Sequence, residues 1–171
     1  NEKENVEKMI DAVLTLQGGF DVLFVDDNSP DGTASLIEKA KDKTPNRVHI
    51  EKRAGKLGLG TAYIHGFRWA MQRDYDFVFE MDCDFSHDPS YIEDGLILLM
   101  NGNDLVLGSR YPDGKIIGWP IKRRIISFFA NLLVRVFIDW KIHDFTNGLR
   151  FYNRELIKYL LSREMKHSGY I

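Results

Sequence analysis

The chain has a single cysteine, Cys83, among 171 residues, so no internal disulfide can form, which fits a reducing compartment. No apolar run approaches the roughly 18 residues needed to cross a bilayer, and no signal-peptide pattern opens the chain. There is no excess of one charge either: 23 Lys and Arg stand against 25 Asp and Glu, a formal net of -2. That excludes a general polyanion binder, so no nucleic-acid partner is expected and any basic patch must be local. Repeats and low-complexity tracts are missing, and nothing marks a second domain. What remains, 44% hydrophobic and 28% charged, is globular composition at a length that fits one cored domain. Residue 1 stands directly before a helix-like stretch, and Ser168-Gly169-Tyr170-Ile171 stop in mid-pattern. One domain over 1–171, incomplete at both ends, is the expectation.

Helices and strands alternate along the chain. Val6, Met9, Ile10, Val13 and Leu14 recur at helical spacing, with Gly18-Gly19 as the stop. Further helices are expected over 33–43, 61–73, 89–101, 124–138 and 153–161. Apolar strands are expected over 20–25, 48–51, 77–81 and 104–107. Nearly uninterrupted apolar strands between helices predict an α/β domain, a parallel sheet covered on both faces. Function in such sheets collects at the carboxyl ends of the strands. Here those ends carry Asp26-Asp27, Asp82-Cys83-Asp84 and Ser109-Arg110.

Asp82 and Asp84 leave a buried strand one residue apart. Paired hard oxygen donors suit Mg²⁺ or Mn²⁺, with diphosphate oxygens completing the shell, and the ion would neutralise a nucleoside-diphosphate leaving group. The plainer alternative is a solvated turn, since Asp is common after strands. Asp26 and Asp27 end another strand, where a carboxylate can accept from a base edge or a ribose; helix capping is the alternative. Gly55-Lys56-Leu57-Gly58-Leu59-Gly60-Thr61 opens a helix whose first N–H groups attract phosphate, with Lys56 beside them. It lacks the G-K-[ST] order of a P-loop, and a tight turn explains it equally.

Taken together, the motifs resemble the family 2 glycosyltransferases of GT-A (Rossmann-like) fold, in their polyprenol phosphate mannose synthase branch. The resemblance rests on Asn1-Glu2, Val25-Asp26-Asp27-Asn28-Ser29-Pro30-Asp31-Gly32-Thr33, Gly55 to Tyr63 and Glu80 to Pro89. It continues through Gly108-Ser109-Arg110-Tyr111, Trp119-Pro120 and Asp144 to Arg150, in order over nearly the whole chain. It implies a mostly parallel sheet and an inverting transfer of mannose from GDP-mannose to a polyprenyl (dolichyl) phosphate. It implies Glu2, Asp26, Asp27, Lys56, Asp82 and Asp84 at the sugar nucleotide, and Asp82 and Asp84 at the metal. It also implies Asp84, Arg110, Arg123 and Ser127 as catalytic, the last three handling acceptor phosphate and diphosphate, and Asp144 near the acceptor. A phosphate monoester is already an anionic nucleophile, so arginines matter more than a strong base. Three departures stand out: the strand and Pro-x-Tyr before Asn1-Glu2 are absent, the chain stops where relatives continue, and Asn147 replaces a small residue before Gly148. Ser86 stands where some relatives carry a metal-reaching Gln.

Ile125, Ile126, Phe128, Phe129, Leu132, Leu133, Val136 and Phe137 form an apolar stripe, with Lys122, Arg123 and Arg124 at its start. It is too short and too charged to span a bilayer. Lying in the membrane interface and packing on the protein core are equal readings. The first makes the protein peripheral at a membrane surface, on the cytoplasmic face. His65, His87, His143 and His167 are dispersed, make no metal-ligand cluster and read as structural, although His87 lies close to Asp82-Cys83-Asp84. Two alternatives remain: transfer of glucose or N-acetylglucosamine from a UDP-sugar to the same lipid, and a phospho-receiver domain. The receiver needs a Lys-Pro after its last strand, where Gly108-Ser109-Arg110-Tyr111 stands instead.

Overall fold

The computed structural model describes residues 1–109, 132, 144 and 147–163. Its elements run α1 (Val6–Leu14), β1 (Val22–Asp26), α2 (Thr33–Lys43), β2 (Val48–Lys52), α3 (Leu59–Met71) and β3 (Phe77–Glu80), then α4 (Tyr91–Met100), β4 (Leu105–Leu107), β5 (Arg150–Asn153) and α5 (Arg154–Ser162). The α/β class and the order of elements agree with the periodicity, with ends moved by a few residues. The helix expected over 124–138 lies outside the described residues. α1 stops at Leu14, short of the glycines; Gly18 and Gly19 then turn the chain at φ 116° and 69°.

β1 and β2 pair in parallel, Val22 opposite Val48 and Asp26 opposite Lys52. β5 was not expected. It runs antiparallel between β3 and β4, with Arg150 opposite both Glu80 and Leu107. Because β5 is reversed, its first residue lies at the carboxyl ends of its two neighbours. The segment entering β5 is thereby delivered to the edge where Asp82 and Asp84 emerge.

α1 joins the two halves of the core. Val6 and Ile10 pack with Ile37 and Val48, whereas Met9 and Val13 pack with Ile92, Leu99, Leu149 and Phe151. Each fully buried side chain of this size contributes roughly 1.5–3 kcal/mol. A helical glycine, Gly95, lets α4 close onto β5: a methyl group there would overlap the Phe151 ring. That contact offsets the cost of about 1 kcal/mol of glycine within a helix. On the other face Phe67, Tyr152 and Ile157 bury α3 and α5 against β5.

Candidate active site

The site has two acidic halves. At the first, the parallel register places the residues after β1 and β2 side by side, so Asp27 meets Arg53. The Arg53 backbone N–H donates to the Asp26 carbonyl at 2.8 Å. Its guanidinium donates from Nε to Asp27 Oδ1 at 2.5 Å and from NH2 to Oδ2 at 2.6 Å, a two-point fork. The remaining nitrogen, NH1, donates to the Thr61 hydroxyl at 2.7 Å, in the first turn of α3. Asp26 is buried, and its Oδ2 accepts the Ser29 N–H at 3.1 Å. Asn28 between them adopts the left-handed region, φ 60°, which Asn tolerates better than most residues.

Glu2, Asp26, Asp27, Lys56, Gly58 and Cys83 are among the residues lining one cleft of about 410 Å³, within the range of small-molecule sites. Four of the six residues expected at the sugar nucleotide therefore share a cavity. Lys56 is exposed at its rim. Glu2 Oε2 accepts from the Asn5 amide at 2.8 Å. Asp31 accepts the Thr33 N–H and hydroxyl at 3.0 and 2.7 Å and also the Lys3 N–H. The Thr33 hydrogen bonds hold its carboxyl down at about 2.

At the second half, just past β3, Asp82 and Asp84 flank Cys83, which lines the cleft, and neither aspartate is itself among the lining residues. Burial, then repulsion from Asp84, raises the Asp82 carboxyl, with His87 opposing. Burial also pushes Asp84 upwards, but the Ser86 hydroxyl and N–H outweigh it and hold Asp84 below its ordinary range. Beneath them Glu80 is buried. Desolvation lifts its carboxyl to about 7, although the Tyr152 hydroxyl donates to Oε1 at 2.7 Å and Arg150 Nε lies 3.6 Å away. Glu80 Oε2 has no hydrogen-bond partner.

The segment entering β5 closes this half. A Cβ at Gly148 would stand 2.8 Å from Asp82 Oδ2 and 3.5 Å from His87 Nε2, so only glycine permits the approach. Asn147, standing where a small residue was expected, braces this segment locally. Its Oδ1 accepts the Leu149 N–H at 2.8 Å and its carbonyl accepts Arg150 Nε at 3.0 Å. Gly108 donates to the Leu149 carbonyl at 2.9 Å, which brings the end of β4 alongside. Asp144 is buried, 2% exposed. His87, read as structural, belongs beside Asp82.

Among the described residues no group of three or more His, Cys, Asp or Glu is arranged to hold a metal. Two carboxylates one residue apart, one of them raised by burial and by the charge of the other, do suit a divalent cation, with ligand and water oxygens filling the rest of the shell. The donor set therefore fits Mg²⁺ or Mn²⁺. Arg110, Arg123 and Ser127 lie outside the described residues, as do Lys122, Arg124 and all of the apolar stripe except Leu132. Among the described residues no helix is long and apolar enough to cross a membrane. Arg53 was missed by sequence reasoning. Its only signal was its place directly after an apolar strand, the same place Asp27 holds after β1.

The glycosyl transferase family 2 model matches residues 1–161. The chain is 39% identical over 171 residues to the polyprenol monophosphomannose synthase of Mycolicibacterium smegmatis, covering 99% of this chain and 64% of that protein. It is 40% identical over 151 residues to the undecaprenyl-phosphate mannosyltransferase of Micrococcus luteus, covering 88% of this chain and 61% of that protein. It thus spans less than two thirds of the length of either relative. The phospho-receiver alternative falls with the family match. With its acidic strand ends, its glycine-led helix and the matched model covering all but the last ten residues, the chain belongs to glycosyl transferase family 2.

Proposed function

We propose that the protein transfers mannose from GDP-mannose to a polyprenyl phosphate, with inversion at the anomeric carbon. The observation that carries this reading is its 39% and 40% identity to two proteins named for joining mannose to polyprenyl phosphates. The cleft agrees with it: the carboxylates of Glu2, Asp26 and Asp27 line it together with the exposed Lys56 and with Gly58 and Leu59 at the start of α3.

In this reading the acceptor phosphate oxygen forms a bond to the anomeric carbon as the bond to the GDP oxygen breaks. Asp26 and Asp27 accept hydrogen bonds from the base or ribose, and Glu2 lines the same wall. Lys56 and the first N–H groups of α3 face the diphosphate. Asp82 and Asp84 would hold a Mg²⁺ or Mn²⁺ ion, whose charge offsets that of the leaving diphosphate. Gly148 keeps the β5 entry tight against Asp82, restricting water at that carboxylate. Arg110, Arg123 and Ser127 bring the two anionic reactants together, and Asp144 lies towards the acceptor. The protein works at the cytoplasmic face of a membrane, where a lipid-linked phosphate is presented.

The test supplies labelled GDP-mannose, Mg²⁺ or Mn²⁺ and a polyprenyl phosphate in detergent, and counts label entering the organic phase. UDP-glucose runs in parallel, with Asp84→Ala as control. Mannose transfer lost in Asp84→Ala supports the reading. Transfer from UDP-glucose alone replaces the donor but keeps the site. No transfer from either, with no nucleotide binding, ends the proposal.

A further inference from the structure

The Arg53 side chain is 7% exposed and bonded to three separate segments: Asp27 after β1, Thr61 in α3 and, at 3.4 Å, the Gly58 carbonyl of the glycine loop. Among the described residues, Asp27 and Gly58 line the cleft and Arg53 stands behind them. The Thr61 hydroxyl, which accepts from Arg53, lies within donating distance of the Gly58 and Leu57 carbonyls, at 2.7 and 3.0 Å. One buried guanidinium therefore ties the base-side wall of the cleft to the phosphate-side loop.

Two consequences follow from hydrogen-bond capacity and charge. A carboxylate oxygen has two lone pairs. The fork from Arg53 uses one on each Asp27 oxygen and fixes the plane of the group, leaving one on each for a ligand. An unpaired Asp27 would also repel an incoming nucleoside diphosphate, and Arg53 cancels that charge without occupying the cleft. A lysine could supply the charge but neither the fork nor the third bond to Thr61.

We propose that Arg53 is a positioning residue for the sugar nucleotide, orienting Asp27 and the glycine loop as one unit. This rests on the reading of the cleft as a nucleotide site. Arg53 acts through Asp27 and the loop rather than by touching ligand, so its loss is felt in ground-state binding.

The experiment measures GDP and UDP binding by calorimetry in the presence of Mn²⁺, and KM and kcat for the sugar nucleotide. It compares the wild-type protein with Arg53→Lys, Asp27→Asn, the double variant and Thr61→Val. Arg53→Lys is expected to raise Kd and KM about tenfold, 1.4 kcal/mol, with kcat within about twofold. The double variant is expected to bind no more weakly than the worse single variant, because both break one unit. Thr61→Val, which removes only the third bond, is expected to raise KM about threefold and stands in if Arg53→Lys does not fold. A folded Arg53→Lys with unchanged Kd and KM, or multiplicative losses in the double variant, overturns the proposal. Wild-type protein that binds neither nucleotide overturns the nucleotide reading itself and the proposal with it.

Discussion

The two acidic strand ends are alike in composition and opposite in electrostatics. Asp27 meets a buried arginine that donates one hydrogen bond to each of its oxygens. Burial and the neighbouring Asp84 raise the Asp82 carboxyl, and at both Asp82 and Asp84 His87 acts in the opposite direction. The difference teaches that what an acidic strand end attracts depends on who stands opposite. A carboxylate neutralised from within the fold can form a wall. A pair left unbalanced attracts a cation brought from outside.

That contrast predicts separable failures. The largest effect is expected on the unbalanced side: Asp84→Ala should lower transfer from the sugar nucleotide by about 10²–10³-fold, the scale of losing charge stabilisation at a leaving group. Its melting temperature should stay near the wild-type value. A folded Asp84→Ala enzyme that keeps its turnover would break the comparison. On the balanced side Arg53→Met should act on stability, costing about 2–4 kcal/mol in urea unfolding, because it strands Asp27 beside a buried gap. A loss below about 0.5 kcal/mol would show that the fork is ornamental.

Glu80 sharpens the comparison through pH. Its folded carboxyl lies at about 7 and its ordinary value at 4.5. Because the folded value is raised, the protonated group stabilises the fold fully below about 4.5, and that contribution is lost as pH rises through 7. The difference in unfolding free energy between wild type and Glu80→Gln should therefore shift towards the variant by about 3 kcal/mol from pH 4.5 to 8. A difference that stays constant across this window would mean Arg150 and Tyr152 keep Glu80 ionised throughout. The smallest effect is at Gly148. Gly148→Ala presses a methyl group on Asp82 Oδ2 and should cost about tenfold in kcat/KM, about 1.4 kcal/mol, with less than 1 kcal/mol of stability. Unchanged kinetics would mean that the β5 entry gives way freely.

Much of the fold was legible because it is written in short-range patterns. The apolar run of Val22 to Val25 and the 3.6-residue spacing of Val6, Met9, Ile10 and Val13 each name their element. β5 escaped because Arg150-Phe151-Tyr152-Asn153 is four residues long, begins with a charge and runs directly into α5, whose N-cap is Asn153. Such a strand is stabilised from both sides by β3 and β4 rather than by its own pattern. At the site, Glu2, Asp26, Asp27 and Lys56 were legible as candidates and share the cleft. The approach of His87 to Gly148 was not, because it depends on how the loop after β3 folds back.

The sequence by itself determined the α/β class, the acidic residues at strand ends, the glycine-led start of α3 and the family to which the chain belongs. Those features are local: side-chain period, turn chemistry and motif spacing are carried by neighbouring residues. Tertiary structure alone decided that Arg53 belongs to Asp27, 26 residues away, and that Gly148 abuts Asp82. Strand register and the reversal of β5 set those pairings. Both follow from burying several faces of the core at once, a condition that no short stretch of sequence can express.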